Sequence, residues 1–145
     1  MESLKNPHLL KSNSFHTSFQ INGESFTNSE ELVQFSQSIS NEINQFLRAW
    51  FSTDPHIVVM TSGSTGSPKS IHLRKDFMIN SALATGRYFQ LGEHTKALCC
   101  LPIKFIAGKM MLVRALTLGW HIDVIESTSN PLHEITKEYD FSAMV

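Results

Sequence analysis

Residues 57–74 constrain the fold of this chain more than any other stretch, because an extended run enters a short loop and a second extended run leaves it. Ile57-Val58-Val59-Met60 is apolar; Thr61-Ser62-Gly63-Ser64-Thr65-Gly66-Ser67-Pro68-Lys69 follows, and then the alternating Ser70-Ile71-His72-Leu73-Arg74. Glycine tolerates positive φ and lets the main chain approach a ligand closely. Successive N–H groups in such a turn form a concavity suited to an anion. The hydroxyls add neutral donors, and Lys69 adds a compact charge that can follow a phosphate. The loop is built to cradle phosphate. It is not of the Walker kind, which needs four residues between its glycines, Gly-Lys-Ser/Thr at its end and a helix directly after. Here two residues separate Gly63 from Gly66, and a proline precedes the lysine. On composition alone the same residues read equally well as a Ser/Gly-rich surface turn between two strands, since Gly, Ser and Pro favour turns for local reasons.

Outside that loop the 145 residues suit one domain large enough to bury a core. A hydrophobic content of 41% with 17% charged residues points to a globular chain and argues against disorder. The formal net charge of -1 gives no reason to expect nucleic acid or an anionic membrane as partner. Cys99 and Cys100 are adjacent in an apolar run, so in a strand they face opposite ways and suggest no disulfide framework. A reducing cytoplasm fits. The first twenty residues lack the apolar centre of a signal peptide. The most apolar region, 97–125, is broken by Lys104, Lys109 and Arg114 and makes no uninterrupted membrane span.

Residues 1–14 carry no pattern and are expected to be a loose arm, with the domain proper over 15–145. Phe15 to Ile21 alternates, which predicts a strand, and Asn22-Gly23 predicts a hairpin turn with a return strand over 24–27. Asn28 or Ser29 caps a helix, and Leu32, Phe35, Ile39, Ile43, Phe46, Leu47 and Trp50 recur at helical spacing, predicting one long helix over 29–51. His56 to Met60 is expected as a buried-type strand and 69–74 as a second strand. A helix begins near Asp76 with Phe77, Ile79, Leu83, Ala84, Tyr88 and Phe89 on its apolar side. A strand over 97–101, a helix over 107–118, a strand over 120–125, a short helix over 131–139 and a strand from Phe141 complete the chain. Alternating strands and helices predict an α/β fold with a largely parallel sheet and flanking helices. Because the chain stops on an apolar strand pattern, it is expected to be a truncated domain that exposes apolar surface.

The loop Thr61-Ser62-Gly63-Ser64-Thr65-Gly66-Ser67-Pro68-Lys69 resembles the AMP-binding signature of the adenylate-forming enzymes, with Ser70 departing from the glycine common in that family. A second stretch, Leu101-Pro102-Ile103-Lys104-Phe105-Ile106-Ala107-Gly108 continuing to Arg114 and Gly119, resembles the family's strand–turn–helix segment beside the acyl pocket. Phe105 stands where many members have histidine. The run from Phe105 to Leu116, and the short stretch before the loop, resemble the o-succinylbenzoate–CoA ligases of menaquinone biosynthesis. The resemblance implies the N-terminal part of an AMP-binding domain. It further implies an ATP-dependent ligase that joins a carboxylate to coenzyme A through an acyl-adenylate, with Mg²⁺ sharing the phosphate charge. It also implies that Thr61, Ser62, Gly63, Ser64, Thr65, Gly66 and Lys69 hold the phosphates, Lys69 acting in catalysis. Phe105, Gly108 and Arg114 would lie near the substrate. The family's glutamate for Mg²⁺, its ribose-binding aspartate and its C-terminal catalytic lysine are not among these residues, so this piece alone is expected not to turn over. Another acyl- or aryl-CoA ligase, or a non-catalytic binding module, are the alternatives.

Arg114 reads first as a snorkelling or salt-bridged surface arginine and second as the partner of a substrate carboxylate; Lys109 reads as a surface residue. The seven histidines show no zinc-ligand spacing, and no residue is assigned to a metal. No Gly-x-Ser-x-Gly elbow is present, so Ser62 and Ser64 read as phosphate donors rather than nucleophiles.

Overall fold

The computed structural model describes residues 14–61, 66–125 and 137–143. The elements are β1 (Gln20–Ile21), α1 (Ser29–Ser36), α2 (Asn41–Trp50), β2 (His56–Thr61), β3 (Lys69–Arg74), α3 (Lys75–Phe89), β4 (Lys96–Cys99), α4 (Ile106–Leu118), β5 (His121–Val124) and β6 (Phe141–Ala143). A four-stranded sheet in the order β1-β5-β4-β6 is parallel throughout, and β2-β3 is a separate antiparallel pair. The expected α/β fold with a parallel sheet and flanking helices is therefore present, with the loop-bearing strands set apart as a hairpin. The expected arm falls outside the described residues apart from Ser14, as does most of the expected helix over 131–139; Lys137–Tyr139 are not helical.

The parallel sheet has two unlike faces. Ala97 pairs with Ile122 and Cys99 with Val124 in register. This apolar face joins Ile21, Met111, Leu112, Ala115 and Leu116 in the main core. Residues alternate across a strand, so His121 and Asp123 face the other way. There the Tyr139 hydroxyl donates to Asp123 Oδ2 at 2.8 Å and Lys137 Nζ donates to the same oxygen at 3.2 Å.

Helix α4 is buried on nearly every side: Gly108, Met110, Met111, Leu112, Val113, Ala115, Leu116 and Thr117 are all buried. Its start is a tight fit. A Cβ on Gly108 would lie 2.2 Å from the Pro102 carbonyl oxygen and 2.7 Å from its carbon. Its end is Gly119 at φ +78°, in the left-handed region that closes many helices. The α3–α4 packing explains the main correction on that side. Helix α3 buries Lys75, Met78, Ile79, Ala82 and Gly86, while Phe77, Tyr88 and Phe89, expected on the apolar side, are exposed. A Cβ on Gly86 would lie 2.8 Å from Leu118 Cδ2. Small residues bring the two helices together, and that contact outweighs the pull of the large rings.

The long helix expected over 29–51 is two helices. Ser36 is buried and its hydroxyl turns back on the Val33 carbonyl. The chain then leaves the helix over 37–40, and Ser40 Oγ accepts from the Ile43 N–H at 3.1 Å to start α2. Asn44 Nδ2 ties the pair, donating to the Val33 carbonyl at 2.9 Å and to Ser36 Oγ at 3.1 Å. The strand expected over 15–21 is cut to its last two residues, because His16 Nδ1 accepts from the Ser18 N–H at 3.0 Å and turns the chain. The Asn22-Gly23 turn forms as expected, with φ +50° and +83°, but its return strand is a single bridge between Ile21 and Glu24.

Two measurements test this packing. Gly108→Ala forces backbone against backbone and should cost about 3 kcal/mol, the upper range for overpacking. A urea midpoint within experimental error of wild type would refute the close approach. Burial, reinforced by the hydrogen bond to Asp123 and its charge, pushes the Tyr139 phenol up to about 12. The folded protein then holds a proton that the unfolded chain releases near the ordinary phenol value of 10.0, so Tyr139 adds stability that is complete below that pH and lost as pH rises toward 12. Relative to wild type, Tyr139→Phe should flatten the fall in thermal midpoint across that window; parallel curves would contradict the assignment.

Candidate functional site

The hairpin β2-β3 holds the loop at its tip. Its register runs from His56 opposite Arg74 to Thr61 opposite Lys69. The apolar run entering it is only half buried: Ile57 and Val59 point inward, while Val58 and Met60 stand on the exposed face. The buried-type strand expected here is thus a one-sided strand, because β2 has a partner on one edge and the core beneath one face only. At the neck, Thr61 Oγ1 donates to the Lys69 carbonyl at 3.1 Å and lies 3.3 Å from the Lys69 N–H. Thr61 therefore clamps the two ends of the loop. Gly66 takes φ +139°, a conformation open essentially to glycine alone, with open space around it. Ser62, Gly63, Ser64 and Thr65 lie outside the described residues.

At the base of the hairpin, Arg74 pairs with Asp76 and lies over the Phe77 ring at 4.4 Å. Lys75 is buried beside them. Nothing in the alternating Lys-Ser-Ile-His-Leu-Arg-Lys pattern distinguishes Lys75 from its exposed neighbours, and sequence reasoning passed over it.

A cleft of about 470 Å³ opens at the carboxyl ends of β4 and β5, lined by Ile39, Ile43, Leu101, Ile103, Lys104 and Ile125 among others. The connection after β4 enters α4 on the apolar face of the sheet, whereas Lys137 and Tyr139 approach Asp123 on the opposite face. Open α/β sheets commonly hold ligands outside the carboxyl ends of their strands. Phe105 sits at this end as the residue before α4, with Lys104 Nζ 5.1 Å from its ring. Lys109 is not a free surface residue: its Nζ donates to the Ile103 carbonyl at 2.7 Å, fastening the turn, and burial lowers its pKa.

Arg114 lies two turns along α4 from Gly108 and is half buried. Its Nε is buried without a partner, its Nη1 reaches only Met111 Sδ at 3.7 Å, and burial lowers its pKa. Among the described residues no carboxylate pairs with it, so the salt-bridged reading falls away. Gly108 and Arg114 thus share α4, with Phe105 as the residue before it, and α4 also touches β2 of the hairpin. Among the described residues no three His, Cys, Asp or Glu side chains are placed to hold a metal ion.

The AMP-binding enzyme family matches residues 7–145. The chain belongs to that family. Over 80 residues it is 36% identical to an acetyl-coenzyme A synthetase of Emericella nidulans, a match covering 53% of this chain and 12% of the relative. An acetyl-coenzyme A synthetase of Penicillium chrysogenum is also 36% identical over 80 residues, with the same shares. The solved structure of an acyl-CoA synthetase (AMP-forming)/AMP-acid ligase II-like protein from Dyadobacter fermentans is 41% identical with a TM-score of 0.67, over 73% of this chain and 31% of that one. The chain thus spans less than a third of that solved relative's length and 12% of those curated ones. An o-succinylbenzoate coenzyme A synthetase from Bacillus subtilis, in complex with AMP, is 16% identical with a TM-score of 0.48 over 70% of this chain and 28% of that one, too distant to speak to substrate. No helix among the described residues is long and apolar enough to cross a membrane.

The neck clamp is testable. Thr61→Val should cost about 1 kcal/mol, the net worth of one hydrogen bond, and should speed hydrogen exchange at the Lys69 amide about fivefold, as that energy implies. Unchanged exchange would show that the hydroxyl does not hold the loop.

Proposed function

We propose that this chain carries the phosphate-binding part of an AMP-forming carboxylate–CoA ligase, with ATP, coenzyme A and a small carboxylate as its substrates. The observation that carries the reading is the clamped hairpin with glycine at φ +139° and Lys69 at its neck, in a member of the AMP-binding family. In the first step a carboxylate oxygen attacks the α-phosphorus of ATP and pyrophosphate leaves, giving an acyl-adenylate. In the second the coenzyme A sulfur attacks the acyl carbon, its proton is lost, and AMP leaves. Two anions meet in the first step, so preorganised donors and positive charge govern its rate. Lys69, the loop hydroxyls of Ser62, Ser64 and Thr65, and the backbone of Gly63 and Gly66 supply them. Thr61, with its hydroxyl engaged at the neck, shapes the loop. Mg²⁺, when bound, would share the phosphate charge.

Arg114 supports a substrate with a second carboxylate. A half-buried cation without a counter-ion gains most from an anion that arrives with the ligand, and o-succinylbenzoate carries two carboxylates, of which one is activated. The apolar cleft with Lys104 at its edge suits an acyl or aryl body. We assign o-succinylbenzoate as the substrate on these grounds, with another acyl or aryl acid as the alternative.

The test is pyrophosphate release from ATP by the product of the complete reading frame, with o-succinylbenzoate set against a panel of aryl and fatty acids. Release with o-succinylbenzoate alone is the expected result, and Lys69→Ala should slow it by one to a few powers of ten, the usual order for losing one electrostatic donor. Release with a different acid would keep the chemistry and discard the substrate. A folded protein silent across the panel would leave a binding module.

A further inference from the structure

We propose that Lys75 is a positioning residue that sets the inclination of the phosphate-binding hairpin, an inference that rests on the phosphate reading of its loop. Lys75 is 3% exposed, the one buried charged residue among those described. Its Nζ donates to the Ser52 carbonyl at 3.0 Å and lies 3.4 Å from the Ser52 hydroxyl. Its own N–H donates to the Pro55 carbonyl at 2.9 Å. Ser52 is the second residue past α2 and is tied back to it, its hydroxyl donating to the Ala49 carbonyl at 2.7 Å. Pro55 is the last residue before β2, and Lys75 the first after β3. One residue therefore joins the entry of the hairpin, its exit, the end of α2 and the start of α3.

Burying an ammonium is expensive unless its hydrogen bonds are met. Burial lowers the Lys75 pKa, and the charge of Asp54 pulls it back up. A methionine would fill the same space without that cost. What the ammonium adds is direction, because its bonds to Ser52 hold the base of the hairpin at one angle to α2. The hairpin is a lever. From Arg74 to Lys69 is five residues, about 17 Å at the strand rise, so a tilt of about 3° at the base moves the tip by about 1 Å. Displacements of that size at a site lower rates up to about a hundredfold.

The experiment measures pyrophosphate binding to the 145-residue chain by titration calorimetry, at a temperature where each protein is folded by circular dichroism. Wild type is expected to bind, Lys69→Ala to bind poorly, and Lys75→Met to bind about tenfold more weakly than wild type, a loss a purely stabilising side chain would not produce in folded protein. Folded Lys75→Met with wild-type affinity overturns the inference and leaves the phosphate reading intact. A wild-type chain that does not bind overturns both. Coupling is reciprocal, so a second measurement needs no variant: saturating pyrophosphate should slow hydrogen exchange at the Lys75 amide, which is bonded to Pro55. Exchange unchanged by bound pyrophosphate overturns the inference even if Lys75→Met fails to fold.

Discussion

The burial of α4 on almost all sides is the constraint on which the rest of this chain depends. A helix with hardly any polar face has to be enclosed, and the enclosing partners here are the parallel sheet, α3 and the hairpin. Each meets it through a close approach. Gly108 rides on the Pro102 carbonyl, and Gly86 of α3 seats Leu118. A Cβ on Gly119 would lie 2.5 Å from His16 Nδ1, so the turn before β1 rests on the far end of the helix. The sheet order follows from this enclosure: β1, β5 and β4 lay their apolar residues on one surface because one helix has to be covered.

The same enclosure links the candidate site to the scaffold. The turn carrying Phe105 is held by Lys109 from inside α4, and the hairpin touches α4 through β2 while its base is fixed to α2 by Lys75. The hairpin and the cleft at the carboxyl ends of β4 and β5 are therefore presented by elements that share one core. Three of the buried polar residues join elements: Asn44 and Ser36 join α1 to α2, and Lys75 joins α2 to the hairpin.

Much of this was legible in the residues themselves. The loop with its flanking strands, the Asn22-Gly23 turn, the Asn28 cap, α4 with its closing Gly119 and the central strands are local signals, and local signals survive folding. What was not legible depends on contacts distant in sequence. The apolar spacing of residues 32–50 continues straight through a break that only the buried Ser36 and the capping Ser40 reveal. In α3 the large rings mark the outside, because its buried side carries the small Ala82 and Gly86, the latter set against Leu118 of α4. The antiparallel pairing of β2 and β3 was open to inference from the short loop, which cannot make the crossover that parallel strands require. Lys75 and Lys109 look like surface cations in any one-dimensional pattern, and their burial is set by carbonyls more than twenty and six residues away.

The clamp between Thr61 and Lys69 has a thermodynamic consequence of its own. Closing a loop costs chain entropy that grows with the logarithm of its length, and here that cost falls on folding, before any ligand arrives. Any ligand that the hairpin tip receives meets two strand ends that are already joined, much as a macrocyclic host compares with its open-chain counterpart. Weak individual donors can then sum to useful affinity, because little of their combined energy is consumed in bringing them together.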